Sequence, residues 1–405
     1  MFEKELKNSI KQIYKVIFDK KILLVYLFSI FLYFPALWIY FDSNISDIRL
    51  DLMMQQAENP FNVDYSTPSN IANNVLAYRI VVPLINHFFG LRGFWIILPS
   101  LLGAYLLLIV SSKILERYHS RLNSIIVLVS LSTSYLFVSG TNFWQGYDSL
   151  AISTVLLIVL VRPIWLQSIL IILALSIDER TIVSILILPI LIKAYEEQKI
   201  ISLKEVFLYY LKWIPSLISV FLLRLLITNG VLFSAPGYNP TYDHNYGNLL
   251  QYWSYHPKRI GFVLIQWFLS IRWLWFYIAL FFINLFNDYK NTFFTKGKFN
   301  FFKSQNLDSK YISILYFLAL ILTYFISNLF VGDIWRCALY IFPILYTSIL
   351  MIKEDKKIMY KINLSILILM IITPQFFLGN FLSDTTTAAI NIVYPLPLVL
   401  IRTFF

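Results

Sequence analysis

Long apolar stretches separated by short loops constrain the fold of this chain more than any motif does. Hydrophobic residues make up 59% of its 405 residues and charged residues only 14%, a composition outside the range of soluble domains. Up to twelve stretches have the character of a membrane-spanning helix, at about 22–41, 94–112, 122–139, 149–161, 163–177, 181–194, 206–228, 261–285, 311–330, 337–352, 362–378 and 388–401. The sequence therefore predicts an all-α, polytopic integral membrane protein with about 11–12 transmembrane helices.

The basic residues indicate how the predicted helices are oriented. Most lysines fall in alternate loops, and the positive-inside rule places these loops and the N-terminus in the cytoplasm. Residues 1–21 mix lysines with apolar residues at helical spacing, which is typical of an amphipathic segment on the inner membrane surface. Residues 22–405 then form a single transmembrane domain, whose largest outer loops are 42–93 and 229–260. The net charge of +11 follows from this topology and does not indicate a nucleic-acid partner.

The region 149–194 has two interpretations, three short helices or one long helix followed by a short one. The second would place the basic segment around Lys193 and the lysine-rich residues 290–310 outside, against the positive-inside rule. We therefore predict three helices. The last stretch, interrupted by Pro395 and Pro397, is either a twelfth span or a re-entrant tail.

The first outer loop carries a group of carboxylates. Asp47, Asp51 and Glu58 stand at i, i+4 and i+11, so a helix would place them on nearly one face. One interpretation is the solvated acidic face of an interfacial helix. The other is a general base, or a set of ligands for a divalent cation such as Mg²⁺ or Mn²⁺, at the membrane surface.

Short outer turns repeat the combination of an acid with aromatic or basic neighbours. Such turns lie at 144–148, 178–180 and 332–336. Each turn alone is typical of a capped helix end or a local ion pair. Their recurrence on one face indicates a functional surface, with Asp148 and Glu179 as further candidate catalytic carboxylates.

Two arginines, Arg224 and Arg272, lie inside otherwise apolar stretches. An arginine there costs at least about 2.5 kcal/mol and needs an anion or a water-filled cavity. The partner is either structural, such as Asp148 or Glu179, or the phosphate of a ligand, which suits the planar guanidinium. Arg79 falls in a predicted amphipathic helix of the first outer loop, where the alternative role is to anchor that helix at the interface. The candidate phosphate ligands are Arg79, Arg180, Arg224, Lys258, Arg259, Arg272 and Arg336.

The outer loop 229–260 is rich in Tyr, Asn, Pro and His. This composition suits contact with sugar rings as well as an ordinary interfacial loop. The candidate contacts of a sugar or acceptor are Tyr78, Trp144, Tyr242 and His244. The chain has a single cysteine and no histidine spacing typical of a metal site, so redox chemistry and a zinc site are not predicted. It contains no glycine-rich phosphate loop and no dinucleotide fingerprint.

In its architecture and a few short motifs, the chain resembles the GT-C superfamily of membrane glycosyltransferases. The architecture consists of a first span with a cytoplasmic N-terminus and an acidic first outer loop. The motifs are acidic or arginine-containing segments accompanied by a proline, at 51–61, 78–83, 178–189 and 333–343.

This resemblance implies a GT-C-like fold with amphipathic helices in the first outer loop. It implies a hexosyltransferase-type enzyme that moves a sugar from a polyprenyl-phosphate donor to a hydroxyl group of a lipid or glycan acceptor on the outer face. An aspartate in the first outer loop is the expected base of such enzymes, and that role carries over to Asp51. We expect the protein in a bacterial cytoplasmic membrane, with a part in polysaccharide biosynthesis of the cell envelope.

Two other functions fit parts of the pattern. An O-antigen-type polymerase or ligase uses polyprenyl-pyrophosphate glycans and would show a dominant late outer loop with paired arginines, whereas here the first loop is larger and acidic. A transporter or flippase of lipid-linked saccharides usually has two related halves and polar groups near the midplane. The sequence shows no internal repeat, and its polar residues gather near one surface.

Overall fold

Helices make up most of the computed structural model, which describes residues 18–41, 47–61, 78–137, 147–229, 231, 259–295, 314–316, 318–325, 337–352, 356–373, 375–378 and 390–393. The helices are α1 (Lys20–Phe41), α2 (Asp47–Glu58), α3 (Val81–Phe88), α4 (Leu98–Leu115), α5 (Arg121–Ser132), α6 (Asp148–Leu160), α7 (Ile164–Ile177), α8 (Thr181–Glu197), α9 (Leu203–Thr228), α10 (Arg259–Ile271), α11 (Trp275–Thr295), α12 (Phe342–Met351) and α13 (Lys356–Ile372). Short 3-10 turns occupy Gly93–Ile97, Arg272–Leu274 and Leu339–Ile341. The strands are β1 (Gln375–Leu378) and β2 (Ile390–Val393).

Within the described chain, three helical segments are long and apolar enough to cross a membrane: Trp95–Leu115, Leu203–Ile227 and Val263–Leu285. Other apolar helices are shorter, with 10–17 residues. Much of α9 exposes large apolar side chains, which water would not favour over so long a helix. These features are compatible with a membrane protein, as the composition predicts.

The region 149–194 forms three helices, as predicted from the charge pattern. An extended segment from Val161 to Pro163 separates α6 from α7, because proline fixes its own φ and disfavours a helical conformation in the preceding residue. A second turn at residues 178–180 separates α7 from α8. Successive helices reverse direction at these turns, so the beginning of α6, the end of α7 and the beginning of α8 lie at the same end of the bundle.

Helix α6 lies in the middle of this bundle. Ala151, Ile152 and Val155 are fully buried, and the helix packs against α4, α7 and α8. The helices approach closely at Gly103 of α4, where an added Cβ atom would lie 2.7 Å from both Cα and Cβ of Leu150. Small residues at helix interfaces allow this approach in membrane proteins.

Three predicted spans differ in the structure. The stretch 261–285 is divided at Arg272, whose φ of 47° interrupts the helix between α10 and α11. Helix α13 ends at Ile372, and β1 and β2 then pair antiparallel with Gln375 opposite Val393. The all-α prediction is confirmed for most of the described residues; this short strand pair departs from it, and residues 390–393 do not begin a helix. Aromatic residues in β1 and β-branched residues in β2 favour strands, and a proline at position 374 has no backbone N–H to extend the hydrogen bonds of α13.

Candidate functional site

Charged side chains from four places in the sequence meet at one end of the bundle. Arg79 precedes α3, Asp148 begins α6, the turn 178–180 joins α7 to α8, and Arg224 lies one turn before the end of α9. We call these residues the arginine–carboxylate cluster; its members are Arg79, Asp148, Asp178, Glu179, Arg180 and Arg224. Three arginines and three carboxylates balance in charge.

Arg79 is held by the carboxylates of the turn between α7 and α8. Its Nε donates to Oε2 of Glu179 at 3.0 Å and its Nη2 donates to Oε1 at 2.7 Å, a bidentate pair. Its Nη1 lies 3.5 Å from Oδ2 of Asp178. The arginine side chain is only 8% exposed. It is therefore an internal partner of the turn rather than an interfacial anchor of the helix that follows.

Arg180 connects two buried aspartates. Its Nη2 donates to Oδ1 of Asp148 at 2.8 Å, its Nε donates to Oδ1 of Asp178 at 2.8 Å, and Nη2 also contacts Oδ2 of Asp178. The hydroxyl of Tyr340 donates to the same oxygen of Asp148 at 3.0 Å, and the guanidinium lies 5.3 Å from the centre of the Tyr340 ring. Both aspartate side chains are almost inaccessible to solvent, so Arg180 compensates charges that water does not reach.

Arg224 has a looser environment than the other two arginines. Its Nη2 lies 3.7 Å from Oε2 of Glu179, beyond hydrogen-bonding distance, and its guanidinium lies over the Tyr78 ring at 4.8 Å. The side chain is 35% exposed. Glu179 is thus the structural partner that the sequence offered for Arg224 as one alternative, and the Tyr78 ring is a second contact of the guanidinium.

The charges of the cluster affect one another. Burial alone would raise the pKa of the Glu179 carboxyl, but the guanidinium groups of Arg79 and Arg180 together hold the pKa below its ordinary value. Burial likewise disfavours the charged forms of Arg79 and Arg180, yet the neighbouring carboxylates raise the pKa of both. Glu179 is therefore ionised at neutral pH and a weak base.

An apolar cluster places α2 next to these charges. Met53 and Ala57 of α2 pack with Val82 of α3 and with Tyr147 and Ile177, which directly precede Asp148 and Asp178 in the chain. Nδ1 of His87 lies 3.0 Å from the carbonyl oxygen of Ala57 and ties the end of α2 to α3. The helix that carries Asp51 therefore packs directly on α3 and the 3-10 turn Gly93–Ile97, and it shares an apolar cluster with the residues that precede Asp148 and Asp178.

Several predicted site residues fall outside the part of the chain whose side chains are described. Asp47 and Asp51 lie in α2 and Arg259 begins α10, but the structure describes only the backbone of these three. The remaining ones lie wholly outside the described residues: Trp144, Tyr242, His244, Lys258 and Arg336. Glu58, the third proposed metal ligand, is exposed. Among the described side chains no group of three or more His, Cys, Asp or Glu residues is arranged to hold a metal ion.

Arg272 differs in its surroundings from the cluster arginines. Its fully buried guanidinium donates to the carbonyl oxygen of Met370 at 3.0 Å and also contacts those of Thr133 and Thr373. These carbonyls lie at the C-terminal ends of α13 and α5, where helix dipoles favour a cation. This arrangement favours the structural alternative for Arg272 over a role as phosphate ligand.

We expect Arg272→Gln to lower the free energy of unfolding by at least about 2 kcal/mol, because hydrogen bonds to a charged donor are lost in a buried place. Titration of the purified protein with denaturing detergent would measure this. Arg92→Gln is the matched control, since Arg92 also donates to a backbone carbonyl, of Leu91 at 3.0 Å, but at an exposed position. Equal stability of the two variants would contradict the structural role.

Two partners in the cluster were not among the predicted site residues. Asp178 stands in a turn that the sequence did single out, next to Glu179. Tyr340 lies in an apolar stretch and carries no sequence signal; its position is set by the 3-10 turn before α12, where Ser184 donates to its carbonyl at 2.6 Å.

No protein family, no curated protein and no solved structure matches the chain.

Proposed function

We propose that the protein is a membrane glycosyltransferase that moves a sugar from a polyprenyl-phosphate donor to an acceptor hydroxyl. In this proposal the N-terminus is cytoplasmic, the arginine–carboxylate cluster faces the outer side of the membrane, and 11–12 spans cross it, as the basic loops predict. The observation that carries the proposal is the meeting of three arginines at one end of an apolar helix bundle, beside the helix that contains Asp51.

The chemistry follows from the charges of the proposed site. An acceptor hydroxyl oxygen attacks the anomeric carbon of the donor sugar, and the bond between that carbon and the phosphate oxygen breaks. The hydroxyl proton passes to the carboxylate of Asp51, and the electron pair of the broken bond remains on the polyprenyl phosphate. Negative charge grows on the leaving phosphate, and nearby guanidinium groups stabilise it.

The contacts of the cluster suggest a division of roles among its acids. Glu179 and Asp148 are engaged by Arg79 and Arg180, and the lowered pKa of Glu179 makes it a poor proton acceptor. We assign both as positioning residues that orient the guanidinium groups. Asp51 is left as the proposed base. No divalent cation is required for this scheme.

A donor assay tests the proposal. The full-length protein in lipid nanodiscs is given either a radiolabelled polyprenyl-phosphate hexose or a polyprenyl-pyrophosphate glycan, with lipid and envelope glycan from the expressing cells as acceptors. Transfer of label from the monophosphate donor supports the proposal. Transfer from the pyrophosphate donor alone would identify a polymerase or ligase instead. Movement of the intact donor across a liposome membrane, with no covalent product, would identify a transporter.

A further inference from the structure

The three arginines of the cluster differ in how many of their donors the protein itself uses. Arg79 and Arg180 each direct three nitrogen contacts to carboxylate oxygens and are nearly buried. Arg224 makes no hydrogen bond to any residue in the described part of the chain; its contacts there are the 3.7 Å approach to Glu179 and the Tyr78 ring. A guanidinium with open donors and partial exposure is the one able to accept an incoming phosphate.

Arg224 also lies at the border of two faces of α9. Val220 and Ile227, four residues before it and three after it, are buried, whereas Phe221 and Leu225 are exposed. An uninterrupted column of exposed apolar side chains begins here and continues toward the start of the helix. Its members, spaced alternately by three and four residues, are Phe207, Leu211, Ile214, Ile218, Phe221 and Leu225. The column is about 27 Å long at 1.5 Å per residue.

We propose that this column and Arg224 together bind the polyprenyl phosphate: the isoprenoid chain lies along α9, and its phosphate meets Arg224. The argument is one of charge and shape, since an apolar track that ends at a partly open guanidinium complements a long chain that ends in a phosphate. Glu179 and Tyr78 hold the guanidinium in place before the phosphate arrives. This assignment rests on the proposed function for the identity of the lipid and specifies which arginine and which helix receive it.

Photocrosslinking tests the assignment with a polyprenyl monophosphate that carries a diazirine in its chain, added to the full-length protein in nanodiscs. We expect adducts on Phe221, Leu225 and neighbouring members of the column, mapped by mass spectrometry. An excess of unlabelled polyprenyl monophosphate should remove them, whereas polyprenol or phosphatidic acid at the same mole fraction should not. Adducts on other helices, or equal competition by phosphatidic acid, would overturn the assignment.

Variants of α9 provide the matched comparison. Arg224→Gln should raise the half-saturating probe concentration by at least about tenfold, because charge-assisted hydrogen bonds to phosphate are lost. Arg224→Lys keeps the charge and should retain part of the binding. Lys212→Gln should bind as wild type, since Lys212 is another exposed cation over a ring of α9, 5.6 Å from Tyr209, but has no place in the cluster. Unchanged binding by Arg224→Gln would remove Arg224 from the site.

The photocrosslinking experiment tests the lipid site independently of the donor assay, which tests the proposed glycosyltransferase activity. If wild-type protein transfers sugar from the monophosphate donor but the probe labels another helix, the lipid site proposed here is wrong and the enzyme activity stands. If the probe labels the column in an Arg224-dependent way and no sugar is transferred, the lipid site stands and the glycosyltransferase proposal fails.

Discussion

Asp51→Asn should reduce sugar transfer by about 10²–10⁴-fold, the range associated with loss of a general base. The amide is nearly the same size as the carboxylate but cannot accept the proton of the acceptor hydroxyl. Radiolabel transfer from the polyprenyl-phosphate hexose measures the rate, and the amount of variant in the membrane fraction measures its insertion. We expect insertion to be unchanged, because the substitution leaves the buried apolar contacts of Met53 and Ala57 in α2 intact.

Variants of the two other carboxylates of α2 distinguish a general base from a set of metal ligands. If Asp51 acts as the base, Asp47→Asn and Glu58→Gln should retain most of the activity, and chelation of divalent cations should have little effect. If all three variants lose activity together and added Mg²⁺ or Mn²⁺ restores it, the acidic face binds a cation. Full activity of Asp51→Asn would remove this residue from the mechanism.

Arg180→Gln should lower the free energy of unfolding by about 3–5 kcal/mol, the cost of removing one partner from a buried ion pair. Asp148 and Asp178 share this guanidinium and are almost completely buried, so their charges lose a compensating cation where water cannot replace it. Unfolding in a denaturing detergent can be followed through the single cysteine, Cys337, which is buried in the folded chain and reacts with a thiol dye when exposed.

An exposed ion pair gives the control for this effect. Arg121 pairs with Asp19 at 2.6 Å, but its side chain is 56% exposed, so Arg121→Gln should cost less than about 1 kcal/mol. Adding Asp178→Asn to Arg180→Gln should recover part of the lost stability by removing one uncompensated charge. A loss no larger than that of Arg121→Gln would contradict the picture of Arg180 as the compensating cation.

The sequence predicts those parts of the fold that depend on local chemistry. The side preference of lysines was enough to divide 149–194 into three helices, because it acts independently of distant contacts. The division at Arg272 was not predicted, since the surrounding apolar stretch contains no proline and its only glycine, Gly261, lies at its start, eleven residues before the break. Its helix break depends on carbonyls at the ends of α5 and α13, more than 90 residues away in either direction along the chain.

The same distinction applies to the candidate site. Helix ends on one face were predictable from alternating spans, so Arg79, Asp148 and Glu179 were all assigned to the outer face in advance. Their pairing was not predictable, because the bidentate contact joins residues 100 positions apart and a charge pattern does not say which acid an arginine selects. Tyr340 shows the limit most clearly: an aromatic residue in an apolar stretch has the same pattern whether its hydroxyl meets an aspartate or another side chain.

The burial of α6 has a consequence for how a bilayer would act on this molecule. α6 has 13 residues and is about 20 Å long. It is enclosed by α4, α7 and α8, so its environment is set by protein contacts and not by the thickness of the lipid bilayer. α9 has 26 residues and exposes its apolar column, so hydrophobic mismatch between helix and lipid would act on α9 through tilt. Arg224 travels with α9, whereas Asp148 and Arg180 stay with the enclosed helices. A change in membrane thickness would therefore change the distance between Arg224 and the rest of the cluster.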